Sequence, residues 1–96
     1  MVRLPDGLEV LGDRLFQECD VRKVVVPSSV KKLGNSAFEN CQKLREVVFE
    51  PNSHLDCIGN SCFSWTGITE IVIPKSVRFI EDKAFKHCRD LSRFRF

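Results

Sequence analysis

Four phenylalanines, Phe16, Phe38, Phe63 and Phe85, recur at intervals of 22, 25 and 22 residues, and each stands in the same local setting. Before them lie Leu15, Ala37, Cys62 and Ala84; three residues after them lie Cys19, Cys41, Thr66 and Cys88. Further upstream a Val/Leu-x-x-Ile/Leu-Gly pattern repeats, as Leu8 to Leu11-Gly12, Val30 to Leu33-Gly34, Leu55 to Ile58-Gly59, and Val77 to Ile80, where Glu81 replaces the glycine. A self-similar period of this length marks a stacked architecture, because one such unit has too little apolar surface to fold alone and leaves water only against its neighbours.

Downstream of each phenylalanine comes an apolar triplet spaced by three and then two: Val21, Val24, Val26; Leu44, Val47, Phe49; Ile68, Ile71, Ile73; and Leu91, Phe94, Phe96. The closing alternation has the period of a strand with one buried face, so each repeat is expected to supply one short strand. Pro27, Pro51 and Pro74 follow the first three triplets, and Pro5 follows Val2-x-Leu4. With no N–H to give, proline ends the strand and turns the chain. The segment Ser36-Ala37-Phe38-Glu39-Asn40, polar outside and small or aromatic inside, is expected to make one short helical turn capped by Asn35 or Ser36. Gly12, Gly34 and Gly59 are expected to take a backbone conformation other residues avoid. The four phenylalanines should form an internal ladder. The fold class is therefore an α/β repeat, a right-handed solenoid with a parallel strand and a short helical turn per repeat. It forms one array over residues 1–96: a strand at 2–4, then repeats over about 5–26, 27–50, 51–73 and 74–96.

The pattern Pro-x-x-Val-x-x-Ile-Gly-x-x-Ala-Phe-x-x-Cys-x-x-Leu-x-x-Val-x-Val resembles the BspA-type leucine-rich repeat over residues 2–96. The departures are Leu15, Cys62, Thr66 and Glu81. The resemblance implies a curved leucine-rich-repeat solenoid that binds proteins, often in adhesion at cell surfaces. The resemblance leans to the cell surface, while the unpaired cysteines lean to the cytoplasm, and the sequence leaves the compartment open.

Composition narrows the function. With 15 basic and 13 acidic residues dispersed along the chain there is no concentrated field for nucleic acid or anionic lipid. Apolar runs such as Val24-Val25-Val26 fall far short of a membrane span. The stretch from Met1 to Asp6 reaches a charge and a turn before any apolar run, unlike a signal peptide. The chain opens in a strand and stops at a strand residue with no polar capping repeat, which reads as part of a longer array or as a subunit that self-associates through its ends.

No constellation for catalysis emerges. His54 and His87 have no consistent partner, and the five glycines stand singly, so no phosphate-binding loop is present. Cys19, Cys41 and Cys88 share one repeat position, which suits a small buried side chain better than a disulfide between parallel side chains. His54, Cys57 and Cys62 lack the paired short spacings of a zinc site. Cys57 falls where other repeats carry Val10, Lys32 or Phe79 and is the best candidate for an exposed thiol. Neither a catalytic group, a metal nor a cofactor is expected.

The expected function is a non-enzymatic interaction or adhesion module that binds a protein; the alternative is a structural spacer or self-associating segment of a larger protein. Strand parity puts Val24 and Val26 inside and Lys23 and Val25 outside, with Glu46 and Val48, Glu70 and Val72, and Arg93 and Arg95 equivalent. An apolar stripe of Val25, Val48 and Val72 ending in Arg95, beside a charged row of Lys23, Glu46, Glu70 and Arg93, is the candidate contact surface. On the opposite side Trp65 occupies a position that is Glu18, Asn40 or His87 elsewhere. It is either an interface anchor or a lid over the gap left by Thr66.

Overall fold

The computed structural model describes residues 1–96. The triplet alternation makes strands β1 (Val2–Arg3), β3 (Lys23–Val26), β5 (Glu46–Phe49), β7 (Glu70–Val72) and β9 (Arg93–Arg95). The Val-x-x-Ile segments make a second set, β2 (Val10–Leu11), β4 (Lys32–Leu33), β6 (Cys57–Ile58) and β8 (Phe79–Ile80). All pairings are parallel and join one winding to the next, in a parallel solenoid of about four turns measuring 29 × 24 × 22 Å. The expectation of one strand per repeat is thus corrected to two. The short second strand escaped notice because two residues are too few to display an alternation.

Equivalent apolar side chains meet along the axis. The rings of Phe16, Phe38, Phe63 and Phe85 stack at centroid separations of 5.5, 5.4 and 5.5 Å with interplanar angles of 5°, 1° and 15°. Phe38 and Phe63 are fully buried, and Phe94 closes edge-on against Phe85 at 5.2 Å. Around this ladder lie Val24, Val26, Leu33, Leu44, Leu55, Ile58, Ile68, Ile71 and their neighbours in one core of 19 residues. Polar groups that reach it are bonded, with no buried side-chain nitrogen or oxygen left without a partner.

The phenylalanine segments contain no helix, which corrects the expected helical turn. The N–H groups of Leu15, Gln17 and Cys19 close tight turns onto Gly12, Arg14 and Phe16 carbonyls at 3.4, 3.1 and 3.1 Å. Those of Arg14, Phe16 and Glu18 instead leave the winding and donate to the carbonyls of Asn35, Ala37 and Glu39, each at 2.9 Å. The next two windings repeat the pattern, from Ser36, Phe38 and Asn40 and from Ser61, Phe63 and Trp65. A helix would point these N–H groups along its own axis, and none sideways to the next winding. The alternation demands a positive φ two residues before and after each phenylalanine, and the structure shows it at Arg14, Ser36, Ser61 and Lys83 and at Glu18, Asn40, Trp65 and His87, with φ between 56° and 65°.

Gly12, Gly34 and Gly59 do not have a positive φ, so the unusual conformation expected of them falls instead on these other residues. At Gly34 and Gly59 the reason is close approach, while Gly12 has nothing within 4 Å of where a Cβ would lie. A Cβ at Gly34 would sit 2.6 Å from the Leu11 carbonyl oxygen, and one at Gly59 would sit 2.7 Å from the Gly34 carbonyl carbon. Beside them runs an Asx column: the Asn35 N–H donates to Asp13 Oδ1 at 2.8 Å and the Asn60 N–H to Asn35 Oδ1 at 2.9 Å.

A candidate protein-interaction face

The outward residues of the long strands fall where parity expects. Val24, Val26, Val47 and Ile71 are buried, Val25 and Val48 are half-buried, and Val72 is 57% exposed. Strand register sets Arg3, Val25 and Val48 side by side, and Val72 beside Arg95. In the adjoining row Lys23 lies against Glu46, with Nζ 3.6 Å from the carboxylate, and Glu70 lies against Arg93. Arg3 reaches across the first winding to Glu50 at 2.7 Å and Asp6 at 2.9 Å.

The face is not one continuous sheet. β1, β3 and β5 form one ladder and β7 and β9 another, and β5 does not pair with β7. Only the foot of the junction is tied, where the Thr69 N–H donates to the Arg45 carbonyl at 3.4 Å. Two sequence features account for the split. The winding between Phe38 and Phe63 is three residues longer than its neighbours, with Glu50 inserted before Pro51 and Asn52 at φ 62° in the enlarged turn. In addition, the Glu50 N–H donates to the Val26 carbonyl at 3.0 Å, whereas the equivalent position in the next winding is Pro74, which has no N–H to offer Phe49. A surface cleft of about 740 Å³ lies at this junction, lined by Val48 and Phe49 from β5 and by Ile71 and Val72 from β7, with Glu46 and Glu70 lining it too.

Trp65 is 41% exposed and does not lie over Thr66 as a lid. It stacks on His87, its counterpart in the next winding, with centroids 4.1 Å apart, and the Arg89 guanidinium lies over its ring at 5.4 Å. Thr66 leaves no gap, because its Oγ1 donates to the Phe63 carbonyl at 2.9 Å. That carbonyl also accepts Cys88 Sγ at 3.0 Å, as Phe16 accepts Cys41 at 2.9 Å.

All five thiols are free. Burial pushes Cys41 up to about 11 and raises Cys62 further. Cys57 sits half-buried on β6 in register between Lys32 and Phe79. Burial and the Glu81 carboxylate, 3.8 Å from Sγ, raise its thiol above the usual range, the opposite of what a reactive cysteine needs. His54, Cys57 and Cys62 do not converge: Cys62 is inside the core, and His54 is exposed with Nδ1 3.1 Å from the Ser28 carbonyl oxygen. No three His, Cys, Asp or Glu residues cluster as metal ligands. No helix is long and apolar enough to cross a membrane.

Stacked windings, parallel strands and an internal aromatic ladder define a leucine-rich-repeat solenoid. The chain belongs to the family described as BspA type leucine rich repeat region (6 copies), whose model matches residues 1–95. Repeats of this family typically mediate protein interaction or adhesion. Among solved structures, a leucine-rich repeat protein from Bacteroides capillosus is similar over 98% of this chain and 74% of its own, at 28% identity and a TM-score of 0.86. The leucine-rich repeat protein of T. pallidum is 27% identical over 98% of this chain and 57% of its own, with a TM-score of 0.64. The pneumococcal vaccine antigen PcpA shares the fold, with a TM-score of 0.89 at 19% identity, and this chain spans 28% of its length. No curated protein matches the chain significantly.

Proposed function

We propose that this protein is a non-enzymatic interaction module that recognises a protein partner through the outer face of its long strands. The carrying observation is the column Val25, Val48 and Val72, which faces outward while Val24, Val26, Val47, Ile71 and Ile73 are buried, with Lys23, Glu46, Glu70 and Arg93 alongside and Arg95 at its end. Apolar side chains framed by charges supply desolvation at the centre of a contact and orientation at its rim. Trp65, half-exposed between Arg89 and His87, is a second anchor on the opposite side. The test uses the 96-residue chain as bait. Proteins retained by the wild type and lost with Val48→Lys plus Val72→Lys support the face, and retention unchanged by the pair overturns it.

A second reading, a spacer or self-associating segment, is favoured by the bonding groups on the two end windings. The N–H groups of Lys83, Phe85 and His87 and the carbonyls of Asp13, Leu15 and Gln17 have no backbone partner, yet their equivalents tie every internal pair of windings. These two faces are complementary, so either end accepts a further winding, from a second copy or from additional repeats. Sedimentation that stays monomeric at high protein concentration would count against association between copies.

A further inference from the structure

Resting on the reading of Trp65 as an anchor, we infer that the notch beside it takes a carboxylate of the partner, an aspartate or glutamate side chain gripped by the guanidiniums of Arg45 and Arg89. The notch comes from an unequal count of residues. Between the cysteine position and the next core residue, the second and fourth windings carry two residues, Gln42-Lys43 and Arg89-Asp90, whereas the third carries only Gly67. The short winding leaves a hollow of about 240 Å³ between Gln42 on one side and His87 and Arg89 on the other, with Trp65 and Gly67 between them. That is room for one side chain, below the roughly 300 Å³ at which small-molecule sites begin.

Two guanidiniums border the hollow. A Cβ at Gly67 would collide with that of Arg45, so the missing side chain is what lets Arg45 lie against the third winding, where its Nη1 donates to the Gln42 carbonyl at 2.6 Å. From the fourth winding the Arg89 guanidinium lies over the Trp65 ring at 5.4 Å, and that ring stacks in turn on His87. A guanidinium resting on a ring still has its N–H groups free in its own plane, in a fork that matches the two oxygens of a carboxylate. The Arg89 side chain makes no hydrogen bond or ion pair, and Arg45 makes only its bond to Gln42. Asp90, the one acid lining the notch, pairs with neither. Two placed cations without counter-ions complement a single negative charge, and Asp90 repels a doubly charged phosphate more than a carboxylate.

The probe is a fluorescein-labelled peptide of alternating glycine and glutamate, whose anisotropy gives its affinity for the 96-residue protein. Trp65 is the only tryptophan and there is no tyrosine, so the intrinsic emission reports whether the peptide sits at the notch. Saturable binding with a parallel change in Trp65 emission is expected, weakening as salt rises. Arg45→Gln and Arg89→Gln should each weaken it by about fivefold, and Asp90→Asn should tighten it. Lys32→Gln, which removes a charge on β4 away from both proposed surfaces, should change it by less than about twofold. No saturable binding, an unmoved Trp65 emission, as large a loss from Lys32→Gln as from Arg89→Gln, or tighter binding of a glycine–phosphoserine peptide each overturns the proposal. If the peptide fails while Trp65→Ala still lowers partner capture, the carboxylate is wrong and the anchor stands; if Trp65→Ala leaves capture unchanged, the anchor falls as well.

Discussion

Single residues in this fold are constrained mainly by the neighbouring winding. Gly59 has the Gly34 carbonyl carbon and the Asn35 nitrogen 2.7 and 2.8 Å from where a Cβ would lie, and both are backbone atoms that cannot turn aside. Gly59→Ala is expected to cost about 1–3 kcal/mol, as overpacking does, while Gly12→Ala, with nothing within 4 Å, should stay within about 0.5 kcal/mol. Urea unfolding of the two variants decides this, and equal losses would contradict the close-approach account. Arg14 is exposed and held at φ 60°, a region that costs most side chains but that asparagine tolerates. Arg14→Asn should therefore stabilise by about 0.5–1 kcal/mol in the same measurement, and a loss of stability would show that Arg14 makes compensating contacts.

The relevant elements are columns along the axis, each built from one residue per winding. In the cysteine column Cys41 has its thiol raised to about 11 from the usual 9.0, chiefly by burial. The fold therefore favours the neutral thiol. Stability from this group is complete below pH 9, where folded and unfolded chains both hold the proton. It falls as pH rises through 9 toward 11, because the unfolded chain ionises first. Buried Cys62, raised by the same cause, adds to the fall. The melting midpoint is expected to be level from about pH 7 to 8.5 and to drop above 9, with a shallower drop in Cys41→Ala. A slope unchanged in that variant would remove Cys41 from the explanation.

These columns were partly legible in the sequence. The phenylalanine ladder, the inward cysteines and the register of Val10, Lys32, Cys57 and Phe79 follow from spacing alone, because an equivalent position in a repeat is an equivalent place in the winding. Trp65 was legible as an aromatic among polar residues, but its stacking on His87 was not, since that depends on the distance between windings. The helical turn was misread for a related reason. The small-plus-aromatic pattern of Ala37-Phe38 suits a helix and a chain of tight turns equally, and the choice lies in whether N–H groups bond inside the winding or to the next.

At the scale of the whole molecule, stability is close to a sum of windings and the contacts between successive ones. The last winding has a neighbour on one side only, and Phe79, Phe94 and Phe96 in it remain substantially exposed, whereas Phe38 and Phe63 are sealed from both sides. Amide exchange should therefore be slowest at Phe38 and Leu33 and should quicken toward residues 79–96. Uniform protection throughout would mean that the array opens as a single unit.

What the sequence by itself determined is the period, the inside and outside of each long strand, and thus the stacked solenoid with its aromatic axis. Those depend on the order of apolar and polar residues within one winding. Only the tertiary structure decided the second row of strands, the positive-φ turns around each phenylalanine and the break between β5 and β7. Each of these depends on which backbone groups find partners in an adjacent winding, and that is settled by the fit between windings rather than by the pattern within one.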